Sequence, residues 1–444
     1  MIRGLKIAAK RDKLTGFRRH PSSHLRVRIH VHTASMTRPN HIEPDRVISF
    51  LAALLIAIST TVPRGLELSC VLLLIYSLYY WRRWQFVGQQ NYLPLIAVML
   101  FVFLSGFLHV HRDGFEAVDV TFRYLLVLPL IFQLPSSKIE PDWIFKGFVV
   151  GGLLSGIGAL YQFYVLGYEK VYGTLFFIYF ANLAAVQGAL SLCAFFWFLK
   201  DKYWSALALL GIVMAATAMV LSGTRGSWIA LPPGLLIATV LFFRLFNWKK
   251  LTAVVVGIAA LCIMSYQFVP IVHDRVATAI IEVQDYADGK RDNLILSSSG
   301  QRFEMWRAAV REFQEAPLLG LGIEKRSEFR QQLISEGYFV SSDGAGSTHS
   351  EFFDGIAKRG VIGIIAILLL YLVPLVFFIK QYIASQGYQQ RLLCTSGITF
   401  VIVFMISGLT ERFLYHHVGA MFYGFVMPVM YAMVRQSSPT QSTV

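Results

Sequence analysis

Apolar runs long enough to cross a bilayer recur from residue 47 to residue 434, and this recurrence decides what the chain can fold into. A hydrocarbon core takes roughly 20 apolar residues per helix, within a range of about 17 to 25. A window of that length finds segments near 47–63, 66–80, 93–110, 121–135, 144–166, 174–199, 203–222, 227–246, 251–270, 360–380, 391–409 and 413–434. The expected fold is therefore an all-α polytopic membrane protein of about 12 transmembrane helices with one large polar loop. Composition agrees: 55% of the 444 residues are hydrophobic and 15% charged, which excludes a soluble globular domain.

The division that follows is a basic tail at 1–46, nine helices in 47–270, a loop at 271–359, three helices in 360–434 and a short tail at 435–444. The first 46 residues hold eleven Lys or Arg and nothing resembling the apolar core of a signal peptide. Met36 offers a second start, which leaves the translation of residues 1–35 open. The net charge of +14 sits largely in this tail and in the loop, so an anionic membrane surface and an anionic lipid substrate account for it better than nucleic acid. Cys70, Cys193, Cys262 and Cys394 all lie in apolar runs, so neither a disulfide framework nor a thiolate metal site is indicated.

Basic residues in the short connections, among them Arg82, Arg83, Lys138, Lys200 and Arg435, fall on the same side as the tail, which places both termini in the cytoplasm. The 271–359 loop is too long for its own charge to decide its side, and the span count puts it outside. Within it, Gln301–Glu315 reads as an amphipathic helix with Phe303, Trp306, Val310 and Phe313 on one stripe.

Three outer-face stretches carry chemistry. In Ser222-Gly223-Thr224-Arg225-Gly226-Ser227-Trp228 a single arginine sits between glycines at the lip of a span. Its planar fork of donors suits phosphate oxygens, and snorkelling is the alternative. Gln301-Arg302-Phe303-Glu304-Met305-Trp306 puts Arg302 in the first turn of a helix, where a cation gains nothing from the dipole, so it is either solvated or paired with an anion. His349-Ser350, followed by nine residues and then Gly360-x-x-Gly363, places an imidazole at the lip of the next span. Such a group is suited to accept a proton near neutral pH. Arg123, Glu411 and Arg412 at other outer span ends, and Glu351 and Asp354 just after His349, are further candidates. Either of the last two would orient the imidazole or simply be solvated.

Taken together, the Ser-Gly-Thr-Arg-Gly-Ser-Trp link, the Gln-Arg-Phe-Glu-Met-Trp helix followed by Pro317-Leu-Leu-Gly-Leu-Gly, and the His-Ser-x9-Gly-x-x-Gly run resemble the bacterial O-antigen ligase and polymerase family over about residues 205–380. Ile364 stands where the ligase pattern often has Thr, so both branches stay open. The resemblance implies an inner-membrane glycosyltransferase whose active site faces the periplasm. It would move a polysaccharide from undecaprenyl diphosphate to lipid A-core, completing lipopolysaccharide by inverting transfer without metal or other cofactor. Carried over, His349 becomes the base, and Arg225 and Arg302 become ligands of the diphosphate. Alternatives are the O-antigen polymerase, a protein-glycosylating ligase and, from another class, a twelve-span transporter. The transporter is disfavoured because the charges cluster at span ends and not at mid-membrane.

Overall fold

The computed structural model describes residues 44–84, 88–243, 248–268, 270–288, 298–338 and 347–437. Residues 1–43 of the expected basic tail and residues 438–444 lie outside these. All regular structure among the described residues is helical, as expected.

Among the described residues, eight helices have the length and apolarity to cross a membrane: Glu116–Ser136, Pro141–Val165, Phe177–Trp197, Lys202–Leu221, Arg225–Phe243, Glu351–Ala384, Tyr388–Thr410 and His417–Ser437. The three segments expected nearest the N-terminus form shorter apolar helices, Arg46–Ile58, Gly65–Tyr79 and Leu93–Phe107. At about 1.5 Å of rise per residue, such helices fall short of a full hydrocarbon thickness. The stretch expected near 251–270 lies on the Trp248–Phe268 helix.

Burial ranks the helices by position. The Phe177–Trp197 helix is the central post, with 94% of its most apolar stretch buried, whereas only 28% of that of Lys202–Leu221 is covered. Lys202–Leu221 starts where Asp201 accepts hydrogen bonds from the Tyr203 and Trp204 N–H groups at 3.1 and 3.2 Å. Small residues then draw backbones together, because lipid supplies no hydrophobic drive between helices. A Cβ on Gly147 would lie 2.8 Å from the Ala53 carbonyl oxygen, and one on Gly152 would lie 2.8 Å from that of Gly211. Pro141–Leu160 is thus clamped between Pro44–Ile58 and Lys202–Leu221. Gln187 reinforces the joint, donating to the Ile56 carbonyl at 2.9 Å and accepting from Ser155 at 2.6 Å.

Two boundaries differ from expectation for identifiable reasons. The 121–135 segment is broken into Glu116–Leu125 and Leu128–Gln133, where Pro129 enters the second piece near its start. The expected 360–380 span belongs to a helix running from Glu351 to Ala384, interrupted at Gly360, whose φ of 60° no ordinary residue adopts at ease. The chain folds back there so sharply that a Cβ on Gly363 would lie 2.5 Å from the Gly355 carbonyl oxygen.

In the expected loop, the helices Pro270–Ala287, Ser298–Glu315 and Glu324–Ser335 are present. The amphipathic face of Ser298–Glu315 is offset from the stripe expected. Met305, Ala308 and Glu312 are buried, while Val310 is 40% exposed. Glu312 takes a core position because Arg326 Nε meets its carboxylate at 2.8 Å and Arg330 Nε bonds its other oxygen. A buried charge so compensated can sit where an apolar side chain was expected.

Candidate active site

The polar run ending in His349 is held from both sides. Trp306 donates its indole N–H to the Thr348 carbonyl at 2.9 Å, and its ring stacks on Phe353 at 5.0 Å between centroids. The Thr348 hydroxyl donates to the Ser350 carbonyl at 2.9 Å, and the His349 N–H donates to Ser347 Oγ at 3.1 Å. Under these restraints His349 takes a φ of 48°, left-handed backbone that costs a residue with a side chain about 1–3 kcal/mol. Such a conformation persists only where the surroundings impose it, and it aims the imidazole at the Thr410–His417 link.

There His349 Nδ1 meets Glu411 Oε2 at 2.8 Å. Glu411 is 3% exposed, and its second oxygen accepts the Arg412 N–H at 3.0 Å, which fixes the plane of the carboxylate. An ionised carboxylate only accepts, so a neutral imidazole in this contact donates from Nδ1 and keeps its lone pair on Nε2. The imidazole is 35% exposed and is therefore open to a substrate.

Arg302 approaches the same carboxylate from the second turn of Ser298–Glu315, since the helix begins three residues before the expected Gln301. A Cβ on Gly226 would lie 2.8 Å from Thr410 Oγ1 and 3.4 Å from Arg302 Nη1, so glycine is what allows the guanidinium and the end of the Tyr388–Thr410 helix to meet there. Burial draws the Arg302 pKa below its ordinary value and Arg225 adds to this, while Glu411 and Glu282 oppose it. Arg302 makes no ion pair or hydrogen bond among the described residues.

Arg225 opens the short Arg225–Trp228 helix, beyond the left-handed Gly223. Its Nη1 and Nη2 reach the two oxygens of Glu282 at 3.2 and 3.4 Å, and Glu282, on Pro270–Ala287, is itself buried. The result is one cluster in which Arg225 and Arg302 stand between the carboxylates of Glu282 and Glu411, with His349 on the second of these. The three motifs read from the sequence therefore converge.

The other candidates divide. Glu411 touches His349 directly, so the imidazole is oriented by Glu411 and not by Glu351 or Asp354. Glu351 is buried, accepts the Tyr371 hydroxyl at 2.5 Å and holds the Leu414 N–H, so it shapes the link that carries Glu411. Asp354 is spent on Lys358 at 2.8 Å and Arg326 at 3.2 Å. Arg412 follows Glu411 and lines a separate cavity. Arg123 pairs with Asp119 on its own helix at 3.0 Å, away from the imidazole.

Sequence reasoning missed Glu282, although an acid inside Ala279-Ile280-Ile281-Glu282-Val283 is a signal that a cation awaits it. It also missed what the glycine-rich turn does. The Pro317–Gly322 turn docks on the fold-back: the Val361 N–H donates to the Pro317 carbonyl at 2.8 Å, the Leu321 N–H to that of Ala357 at 3.0 Å and the Gly322 N–H to that of Lys358 at 3.1 Å. His109 Nε2 and Arg112 grip the same turn at the Leu319 and Gly320 carbonyls, 2.8 and 2.7 Å away. Gly360 is needed because a Cβ would sit 2.4 Å from the Pro317 carbonyl oxygen. Among the described residues, no group of three or more His, Cys, Asp or Glu is arranged to hold a metal ion.

A protein of Haemophilus influenzae, described only as uncharacterized, is 28% identical over 389 residues, covering 85% of this chain and 95% of its own length. The family model described as O-antigen ligase matches residues 210–368, the stretch that holds Arg225, Arg302 and His349. With its apolar helices and this match, the chain is similar over residues 210–368 to the O-antigen ligase family.

Proposed function

We propose that the protein transfers a finished polysaccharide from undecaprenyl diphosphate to lipid A-core on the periplasmic face of the inner membrane, and that His349 is the base. The observation that carries this is the 2.8 Å contact between His349 Nδ1 and Glu411, which leaves Nε2 as the proton acceptor, with Arg302 facing the same carboxylate.

In the reaction an acceptor hydroxyl gives its proton to Nε2 while its oxygen attacks the anomeric carbon. The bond from that carbon to the diphosphate oxygen breaks, and the electron pair leaves on the diphosphate. Glu411 stabilises the imidazolium that forms, a task suited to a buried carboxylate. Arg302 and Arg225 neutralise the leaving diphosphate, and fixed cations in a dry site do this with little reorganisation. Direct attack inverts the anomeric centre. Glu282 holds Arg225 in place while the donor is absent and yields it when the diphosphate arrives.

Deletion in the native bacterium tests the choice of acceptor. The ligase reading predicts polysaccharide that is polymerised on the polyprenyl carrier but not attached to lipid A-core. Unpolymerised single repeats would assign the protein to the polymerase branch, whose acceptor is a second polyprenyl-linked glycan.

A further inference from the structure

A third cation stands at the corner that carries Arg225. Lys170 lies in the link between Pro141–Val165 and Phe177–Trp197, and the next residue straps that link to the end of Lys202–Leu221, the Val171 N–H donating to the Leu221 carbonyl at 3.3 Å. Gln162 stiffens the link from within. Its side-chain oxygen accepts the Tyr172 and Gly173 N–H groups, both at 2.9 Å, and its amide donates to the Gly173 carbonyl at 2.6 Å. A Cβ on Gly223, two residues before Arg225, would lie 3.8 and 3.9 Å from Cγ and Cε of Lys170, so the lysine stem lies across that glycine. Its Nζ stands 5.4 Å from the centre of the Phe177 ring. Phe177 opens the helix whose Asn182 accepts the Ser227 hydroxyl at 2.5 Å, two residues beyond Arg225. The ammonium is therefore bracketed by parts of the fold that hold the chain on either side of Arg225.

Charge shows what the cluster around Arg225 lacks. Glu282 and Glu411 together offset Arg225 and Arg302, with His349 neutral as the proposed base. A diphosphate diester brings a negative charge on each phosphate and gains another when the glycosyl bond breaks. A cluster already in balance leaves those charges unanswered, and fixed cations at the leaving group are what lower the cost of their development. Lys170 has that charge to give: it is exposed and makes no ion pair or hydrogen bond among the described residues. Its compact ammonium on a flexible stem can swing to a phosphate while the backbone that carries it stays fixed.

We propose that Lys170 is a further diphosphate-binding residue, whose ammonium joins Arg225 on the phosphates of the polyprenyl donor and stays with the diphosphate as it leaves. The part played in the leaving step rests on the transfer reading above, whereas binding of a polyprenyl diphosphate does not.

Lys170→Gln is a clean probe, because an exposed side chain with no hydrogen bond to lose can be changed without disturbing the fold. The full-length protein in detergent is titrated with undecaprenyl diphosphate and with undecaprenol, which has the same tail and no charge, and binding is read by native mass spectrometry. The proposal expects Lys170→Gln to weaken binding of the diphosphate by roughly 3- to 10-fold, Lys170→Arg to recover most of it, and undecaprenol to bind all three proteins alike. Lys202→Gln, which removes an exposed cation from the other end of Lys202–Leu221, should bind both lipids as the wild type does. Unchanged diphosphate binding in Lys170→Gln, no recovery in Lys170→Arg, an equal loss in Lys202→Gln or an equal loss of undecaprenol binding would each overturn it. In the transfer assay Lys170→Gln should raise the KM for donor and leave the KM for acceptor unmoved. A donor KM equal to that of the wild type would remove Lys170 from the site and keep the transfer reading. Diphosphate binding that depends on Lys170, in a protein that transfers no glycan, would keep the site and remove the transfer reading.

Discussion

Glu411 Oε2 stands 2.8 Å from His349 Nδ1, joining the end of one span to the residues that lead into another, 62 positions apart. A Cβ on Gly226 would meet both Thr410, the residue before Glu411, and Arg302, so the guanidinium lies at the same corner.

Glu411→Gln preserves the shape of the side chain and removes its charge. Transfer should fall by about 10²-fold or more, in line with the usual worth of general-base catalysis, while the protein still inserts and keeps its thermal midpoint. Initial rates with a polyprenyl-linked glycan and lipid A-core check this. A variant within a factor of two of wild type would show that the carboxylate does not serve the base.

Glu282 holds Arg225 at 3.2 Å, and on the proposed reading it competes there with the donor diphosphate. Glu282→Gln should therefore lower the KM for donor, and Arg225→Lys should raise it, because a point charge loses the paired donors of the guanidinium. Rates measured across donor concentration separate the two. An increased KM in Glu282→Gln would mean that the ion pair organises the site and does not guard it.

At Gly360 a methyl group meets backbone and not a movable side chain, and φ is 60°. Gly360→Ala should destabilise the docking of the Pro317–Gly322 turn by about 1–3 kcal/mol, seen as faster protease cutting within residues 316–323 and lost transfer. Unchanged cutting would refute the role given to the fold-back.

His416, in the link after Glu411, has its pKa drawn down from 6.5 to about 3 by burial, with His417, Arg412 and Arg123 adding to the effect. Its ring stacks on Tyr179 at 3.7 Å, and its Nδ1 accepts the Val418 N–H at 3.4 Å, a bond that needs the lone pair. With the folded pKa below the unfolded one, the unfolded chain binds the extra proton first. The stabilisation from neutral His416 is therefore complete above about 6.5 and is lost as pH falls towards about 3. The thermal midpoint in detergent should decline over that window, and less steeply in His416→Gln. Equal slopes in the two proteins would contradict the assignment.

The helical class and the three motifs were legible because each depends on local composition or short spacing. His349, Arg302 and Arg225 could be named from their motifs and from the family those motifs resemble. What linked them could not, since it depends on contacts between distant segments: Glu411 with His349, Glu282 with Arg225, and the Trp306 indole with the Thr348 carbonyl. Glu351 was the nearer acid in sequence, yet the helix it begins turns its carboxylate inward to Tyr371. The apolar stripe of Ser298–Glu315 was misjudged for a related reason, because Arg326 and Arg330 come from another helix to bury Glu312.

The central claim is that His349 removes the acceptor proton beside Arg302. Wild-type protein and His349→Ala, reconstituted in proteoliposomes with a polyprenyl-diphosphate-linked glycan and lipid A-core, give the direct measurement, read as the amount of glycan joined to lipid A-core over time. The account predicts transfer by the wild type and a loss of at least about 10²-fold in His349→Ala, with binding of the polyprenyl donor retained. Transfer by His349→Ala at a rate near that of wild type would contradict it.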